Sequence, residues 1–268
     1  MAITTLDGVI AGMQYPREIV KALTGTLVAG RPHSLFYLAG IPGAAVAPSS
    51  AGTGGTVLTT YAGQIPFTNP VSGNTYLVRL QGQSTQAGSL LLCDRLWHNK
   101  IASMTSAVAQ AVNSPEFPAR DSAGTTSGNS IIVGLELSQA SGAGTPTLNL
   151  GYTNSVYVSG KTSLNIVSTV ASSIIGTFYP IGLAPGDVGI SSIQSFTLSA
   201  TMTTGVGHLV AYRILARLEL TNVNVANAID ALTSGFPRLY DNSVPFLIFI
   251  PSTTTTSNIT GHVIWTQG

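Results

Sequence analysis

From Gln194 to Thr203 the chain alternates without a break. Gln194, Phe196, Leu198, Ala200 and Met202 fall on one side, and Ser195, Thr197, Ser199, Thr201 and Thr203 on the other. Successive side chains of a strand point to opposite faces, so this pattern fits an extended segment with one face buried and a hydroxyl face in water. A helix would scatter both sets around its circumference. Thr204-Gly205 turns the chain, and Val206 to Leu220 repeats the alternation with Val210, Tyr212, Ile214, Ala216 and Leu218 inward. The two runs predict a long hairpin.

The same period recurs over most of the chain. Ile131, Val133, Leu135 and Leu137 alternate with Ile132, Gly134, Glu136 and Ser138, which points Glu136 away from the core. Leu148, Leu150 and Tyr152 alternate with Thr147, Asn149 and Thr153. Further strands are expected at Thr56–Tyr61, Thr75–Leu80, Ser89–Trp97, Val244–Ile250 and Gly261–Thr266, with a Thr-rich turn between the last two. Ten or more short strands separated by turn residues predict an all-β fold, an antiparallel β-sandwich or jelly-roll-like domain. No repeat of fixed period is visible, which argues against propellers and solenoids.

The first quarter reads differently. Asp7 is placed to cap a helical turn through Val9, Ile10 and Met13. Pro16 suits the first position of a second helix, Pro16 to Leu23, with Ile19, Val20 and Leu23 on one face and Thr24-Gly25 as its stop. After the apolar Leu35-Phe36-Tyr37-Leu38, the run from Gly40 to Gly55 is Gly, Ala, Pro and Ser in the main and reads as a linker. Residues 1–55 are therefore expected to form an N-terminal arm with a short helix, and residues 56–268 the β-sandwich domain. The side chains available to an arm contact are Val9, Ile10, Met13, Tyr15, Ile19, Val20 and Leu23. Two stretches resist a single reading. Lys100 to Val112 fits a helix through Ile101, Met104, Val108 and Val112 and also a Thr/Ala/Val strand, whereas Val225 to Leu232 favours a helix ended by Gly235-Phe236-Pro237.

Composition narrows the function. Only 8% of residues are charged, against about 25% in an ordinary soluble domain, while 44% are hydrophobic. Disorder of the whole chain requires the opposite balance. Eleven scattered Lys and Arg and a net charge of +1 build no basic patch for nucleic acid or anionic membrane. No apolar run approaches the length of a spanning helix, and the N-terminus lacks the basic and apolar regions of a secretory signal. The single cysteine, Cys93, rules out an intrachain disulfide and permits folding in a reducing compartment. A surface so poor in charge is what a chain shows when other copies or partners cover much of it.

Catalytic constellations are absent from the pattern. Gly160-Lys161-Thr162 lacks the upstream glycine of a phosphate loop, because position 155 is Ser155. His33, His98, His208 and His262 are far apart with no second ligand at metal spacing, and His208 reads as a hydrogen-bonded core residue. No G-x-S-x-G elbow exists. Asp121 and Asp187 sit in Gly-rich turns and read as turn-fixing residues. Asp94-Arg95 and Arg120-Asp121 read as local ion pairs or turn-fixing hydrogen bonds. Trp97 and Trp265 end strand patterns and read as core plugs, with sugar stacking as the alternative. No catalytic, cofactor or metal residue is expected, and the chain is not expected to be an enzyme.

Several phrases resemble a family of tailed-bacteriophage virion proteins. They are Leu90-Leu91-Leu92-Cys93-Asp94-Arg95-Leu96-Trp97, Phe117-Pro118-Ala119-Arg120-Asp121, Leu150-Gly151-Tyr152-Thr153-Asn154-Ser155, and the stretch from Asp187 to Ser195 continuing through Gly207-His208-Leu209-Val210-Ala211-Tyr212-Arg213. The resemblance implies a head decoration (cement) protein, a homo-oligomer and often a trimer, bound to the phage major capsid protein on the head surface and assembled in the host cytoplasm. Such a protein would lose attachment on removal of residues 1–25. Other virion roles (a jelly-roll shell subunit, a neck, tail or baseplate protein) and a host-surface glycan binder are the alternatives.

Overall fold

A computed structural model of the chain describes residues 3–48, 54–99, 104–164, 169–235 and 237–268. In chain order the elements begin with α1 (Leu6–Ala11), β1 (Arg17–Leu23), β2 (His33–Ser34), β3 (Gly40–Ile41) and β4 (Thr56–Val57). They continue with β5 (Thr75–Ser84), β6 (Gly88–His98), β7 (Gln110–Ala111), β8 (Ile132–Gln139), β9 (Leu148–Asn154) and β10 (Lys161–Thr162). Then follow β11 (Phe178–Pro180), β12 (Ile190–Leu198), β13 (Val206–Leu220), β14 (Asn227–Asp230) and the single turn α2 (Ala231–Ser234). The chain closes with β15 (Arg238–Leu239), β16 (Pro245–Pro251) and β17 (Ser257–Gln267). The strand pairings among the described residues are antiparallel, and the fold is the all-β sandwich class that the alternation predicts. No helix among the described residues is long and apolar enough to cross a membrane.

The chain divides into two compact units. Unit 1 comprises Met1–Val46, Thr59–Asp94 and Ile214–Gly268, and unit 2 comprises Ala47–Leu58 and Arg95–Arg213.

In unit 1 one sheet runs β14-β5-β17-β1-β3, with β15 also on β5. Its inner face lies over the start of β6 and the end of β13, since a Cβ added at Gly82 would stand 3.4 Å from Leu90 and 3.5 Å from Leu218. β16 pairs with β6 from Pro245↔Asp94 to Pro251↔Gly88 and with β2 at Ile248↔Ser34 and Phe249↔His33. Lys21 points inward from β1 and donates to the carbonyls of Leu38 and Pro42, each at 2.6 Å. Burial lowers its pKa to about 8.

The expected helix from Pro16 to Leu23 is strand β1, an inner strand whose residues all pair with β17. A spacing of four satisfies both periods, so Ile19 and Leu23 share a face in a helix and in a strand alike. The β-branched Ile19-Val20 pair and the free edge of β17 decide for the strand. At the start of the chain, α1 does form, and its cap is Thr5 rather than Asp7: the Thr5 hydroxyl accepts from the Gly8 N–H at 3.1 Å. The helix expected from Val225 to Leu232 is β14 on β5, followed only by α2. Thr56–Tyr61 forms a strand only at Thr56–Val57.

Unit 2 is a second sandwich. The sheet β10-β9-β12-β7 supplies one wall, while β8, β11 and the first half of β13 form the other. Leu150, Tyr152, Ile193 and Phe196 from the first meet Val133, Leu135 and Leu209 from the second in one buried cluster. β12 and β13 are therefore not a hairpin. β12 pairs with β9 and β7, and β13 pairs with β8, so the seven residues between Leu198 and Val206 carry the chain from one sheet to the other. Both strands show the same alternation because both face the same core, and alternation alone does not name the partner. Ala200 lies beyond the strand and is exposed. Further along β13, Ile214 is also exposed, against its expected inward position.

Of Lys100 to Val112, residues 100–103, including Ile101, lie outside the described residues, as do residues 49–53 of the Gly40–Gly55 run. The described remainder of the first stretch is irregular up to β7, so the helical reading fails there.

Candidate functional site

Most side chains with chemical potential are engaged in holding loops and cores. The Asp121 carboxylate accepts from the N–H groups of Ala123 (2.9 Å), Thr125 (2.8 Å) and Asn129 (3.1 Å) and from the hydroxyls of Thr125 and Ser127 (both 2.8 Å). Burial pushes its pKa up, but the Thr125, Ser127 and Ala123 bonds outweigh that and hold it below the ordinary carboxylate range. The turn-fixing reading of Asp121 is therefore correct. Asp121→Ala is expected to cost about 2 kcal/mol or more, because several charge-assisted bonds vanish together. Hydrogen exchange of amides 122–129 checks it: those amides should lose protection first.

Asp187 plays the same part for the neighbouring turn. It accepts from the Tyr152 hydroxyl and from Asn154 Nδ2, both at 2.7 Å, and lies 3.6 Å from Lys161 Nζ. Asn154 Oδ1 in turn accepts from the N–H groups of Val156 (3.1 Å) and Val158 (2.9 Å). Burial and the bond to Asp187 push the Tyr152 phenol up to about 12, while that phenol and Asn154 pull Asp187 down.

Glu136, expected to face away from the core, is fully buried and stands 2.7 Å from Arg95 Nη2, itself fully buried. The second face of β8 is covered as well: a Cβ on Gly134 would stand 2.2 Å from the Phe178 ring, which packs edge-on against Tyr212 at 5.1 Å. His208 is the core histidine that its strand position predicts. Its Nδ1 lies 2.9 Å from the Asn99 carbonyl and its Nε2 2.6 Å from the Ser138 hydroxyl. Asp94 accepts from the Ser243 hydroxyl and the Val244 N–H. Arg120 Nη2 donates to the Arg95 carbonyl at 3.1 Å. No group of three metal-ligating side chains occurs among the described residues.

Trp97 and Trp265 are core plugs, with Nε1 donating to the carbonyls of Gly54 (2.9 Å) and Pro66 (3.3 Å). Neither presents a stacking face for sugar.

Exposed large apolar side chains are spread over both units, and two runs of them sit on braced segments. In unit 1, Ile10, Met13 and Tyr15 of the expected arm are exposed together with Leu6, with Tyr15 87% accessible. Val9, Ile19 and Leu23 are buried in the unit and Val20 is half-buried, so the structure splits the seven arm residues between core and surface. Removal of residues 1–25 would also take β1 out of its sheet, which makes that truncation a test of folding rather than of attachment. In unit 2, Val156, Tyr157 and Val158 project from the turn that Asn154 and Asp187 brace, and Tyr157 holds a left-handed φ of 61°. Three consecutive apolar residues inside an Asn- and Gly-bounded turn were the available sequence signal for this surface.

No protein-family model and no curated protein matches the chain. Among solved structures it is similar to the infectious bursal disease virus VP2 subviral particle, at 9% identity and a TM-score of 0.20, over 96% of this chain and 81% of that one. Likeness at that level carries no argument.

Proposed function

We propose that the chain is a non-enzymatic structural protein of a tailed-bacteriophage virion, a decoration protein that binds the outside of the head lattice as a small homo-oligomer and stabilises it. One observation carries the reading. The carboxylates Asp94, Asp121, Glu136 and Asp187 are engaged in internal bonds, whereas two runs of exposed apolar side chains, at Leu6–Tyr15 and Val156–Val158, are held on braced segments. Catalysis needs polar groups free to meet a substrate; association needs apolar surface held in place before contact. The low charge supports the same role, because covering such a surface desolvates few ions. The resemblance of several phrases to those of phage virion proteins is what favours this particle.

The test is addition of the purified chain to phage heads that lack it, followed by sedimentation and quantitative mass spectrometry. Copies in proportion to the lattice, together with heads that survive higher temperature, are expected. A handful of copies per particle would instead point to the neck, tail or baseplate, and no binding at micromolar chain would end the proposal.

A further inference from the structure

Asn154, Lys161 and Asp187 converge in unit 2 from three segments. Asn154 ends β9, Lys161 opens β10, and Asp187 comes from the loop before β12. Lys161 pairs with Tyr152, so Asn154, two residues further along β9, is its diagonal neighbour on the same face. A side chain as long as lysine reaches across such a diagonal. The Asp187 side chain is 5% exposed and is pinned from one side: its Oδ2 accepts from the Tyr152 hydroxyl at 2.7 Å, and that hydroxyl accepts from the Ala184 N–H at 2.8 Å. Its other oxygen, Oδ1, faces two nitrogens at once. Asn154 Nδ2 donates to it at 2.7 Å, and Lys161 Nζ stands 3.6 Å from it.

The Asn154 amide is held at its oxygen as well. Oδ1 accepts from the N–H groups of Val156 (3.1 Å) and Val158 (2.9 Å), which fixes the amide with its nitrogen on the carboxylate and its oxygen on the backbone. A plain ion pair between Lys161 and Asp187 requires none of this. The set supplies the parts of an acyl transfer: an amine, a carboxamide carbon, two N–H groups where the charge of a tetrahedral intermediate develops, and a carboxylate beside both the incoming and the leaving nitrogen. The Lys161 side chain is 32% exposed and Asn154 is buried. The amine therefore has room to swing from the carboxylate to the amide carbon, while the acceptor stays in place. The Tyr152 and Asn154 bonds hold Asp187 below the ordinary carboxylate range, which keeps it ionised and ready to take a proton.

We infer that unit 2 closes an isopeptide bond between Lys161 Nζ and Asn154 Cγ, with Asp187 as the catalytic carboxylate. Asp187 takes a proton from the Lys161 ammonium, and the freed amine attacks Asn154 Cγ. The N–H groups of Val156 and Val158 hold the oxyanion of the tetrahedral intermediate. Asp187 then passes its proton to the amide nitrogen of Asn154 and takes the second proton of the attacking nitrogen. As the carbonyl re-forms, the bond from Cγ to Nδ2 breaks with its electron pair on nitrogen, and ammonia leaves. Ammonia carries off the last proton as ammonium, so Asp187 ends ionised, and no oxidant or cofactor is consumed. The bond ties off residues 154–161 and with them the exposed Val156-Tyr157-Val158 turn. It goes beyond the decoration role and does not depend on it.

The test is tryptic mass mapping of the full-length chain after it has been held folded at neutral pH for days. Trypsin does not cut after an acylated lysine, and no other Lys or Arg lies between Asp121 and Tyr212. Residues 121–213 should therefore appear as one peptide, lighter than its sequence by one ammonia, in place of 121–161 and 162–213. Lys161→Arg keeps the charge and loses the nucleophile; Asp187→Asn keeps the shape and loses the proton carrier. Both variants should be cut at position 161 and keep the full mass. A folded parent chain that is cut at Lys161 and has its full mass overturns the inference. Ammonia loss with cleavage at Lys161 intact overturns it too, because that is the mark of a succinimide at Asn154-Ser155. Loss of water in place of ammonia does the same, since Asp187 would then be the acyl partner. Because the parent chain decides each of these outcomes, a variant that fails to fold leaves the test in force.

Discussion

Glu136→Leu alone should lower the unfolding free energy of unit 2 by about 3–5 kcal/mol, the usual cost of breaking a buried ion pair from one side. Arg95→Met together with Glu136→Leu should recover most of that loss. Both side chains are fully buried, with 2.7 Å between Arg95 Nη2 and Glu136 Oε2. Their mutual attraction offsets the desolvation of two ions, and removal of the carboxylate leaves a guanidinium in a low-dielectric interior with its solvation lost. The surroundings sharpen the effect. Arg95 Nε donates to His98 Nδ1 at 3.3 Å, and Arg120 Nη2 donates to the Arg95 carbonyl at 3.1 Å, so a second guanidinium lies beside the pair. Replacing both partners by apolar groups removes the charge problem and leaves only a packing difference. The two tryptophans allow the units to be followed separately, since Trp97 belongs to unit 2 and Trp265 to unit 1. Urea unfolding read from Trp97 in a Trp265→Phe background measures the four corners of the cycle. Equal losses in the single and double variants would show that Glu136 acts by packing and not by charge.

Glu136 also shows where reading the chain alone stops. Alternation in β8 was legible, and it correctly gave Val133, Leu135 and Leu137 to the core. It assigned Glu136 to solvent because an antiparallel strand usually has one wet face. Nothing local to residues 131–138 records that the other face is covered too, because Phe178 and Tyr212 arrive from distant parts of the chain. The error at β1 has a different cause. There the spacing of Ile19 and Leu23 fits two periods, and only the pairing with β17, more than two hundred residues away, selects one. Asp121 and His208 were legible because their roles are local: one closes a loop of its own neighbours, the other occupies the inward position of an unambiguous strand. The expected arm residues from Val9 to Leu23 share one apolar character in the sequence, and only the fold divides them into buried Val9, Ile19 and Leu23, half-buried Val20 and exposed Ile10, Met13 and Tyr15.

The stability of unit 1 should fall as pH drops from about 6.5 to about 4, and His33 is the main reason. His33 is 1% exposed on β2, and neither ring nitrogen has a hydrogen-bond partner among the described residues. Burial lowers its pKa from 6.5 to about 4, with a smaller contribution from the Arg31 charge. Its strand partner β16 reads Pro-Phe-Leu-Ile-Phe-Ile-Pro and brings no titratable group to offset a proton. Between the two values the unfolded chain takes up a proton at this site and the folded chain does not, so the folded state loses ground as acid is added. Below the folded value both states carry the proton and the loss from this residue is complete. At about 1.4 kcal/mol per unit of depression, His33 alone accounts for about 3 kcal/mol across the window. His262 is lowered in the same direction, by burial and by Arg79. Glu219, held low by Ser89 and Arg217, adds a further loss at more acidic pH as it takes up its proton. His33→Leu separates the contributions, because leucine fills the buried site without a nitrogen to desolvate or a proton to bind. Urea unfolding read from Trp265 in a Trp97→Phe background, at pH 7, 5.5 and 4.5, should show the His33→Leu chain close to the parent at pH 7 and more stable than it by about 2 kcal/mol at pH 4.5. Parallel pH profiles for the two chains would mean that His33 reaches water or a partner when charged, and the acid sensitivity of unit 1 would then have to lie with His262 and its carboxylates.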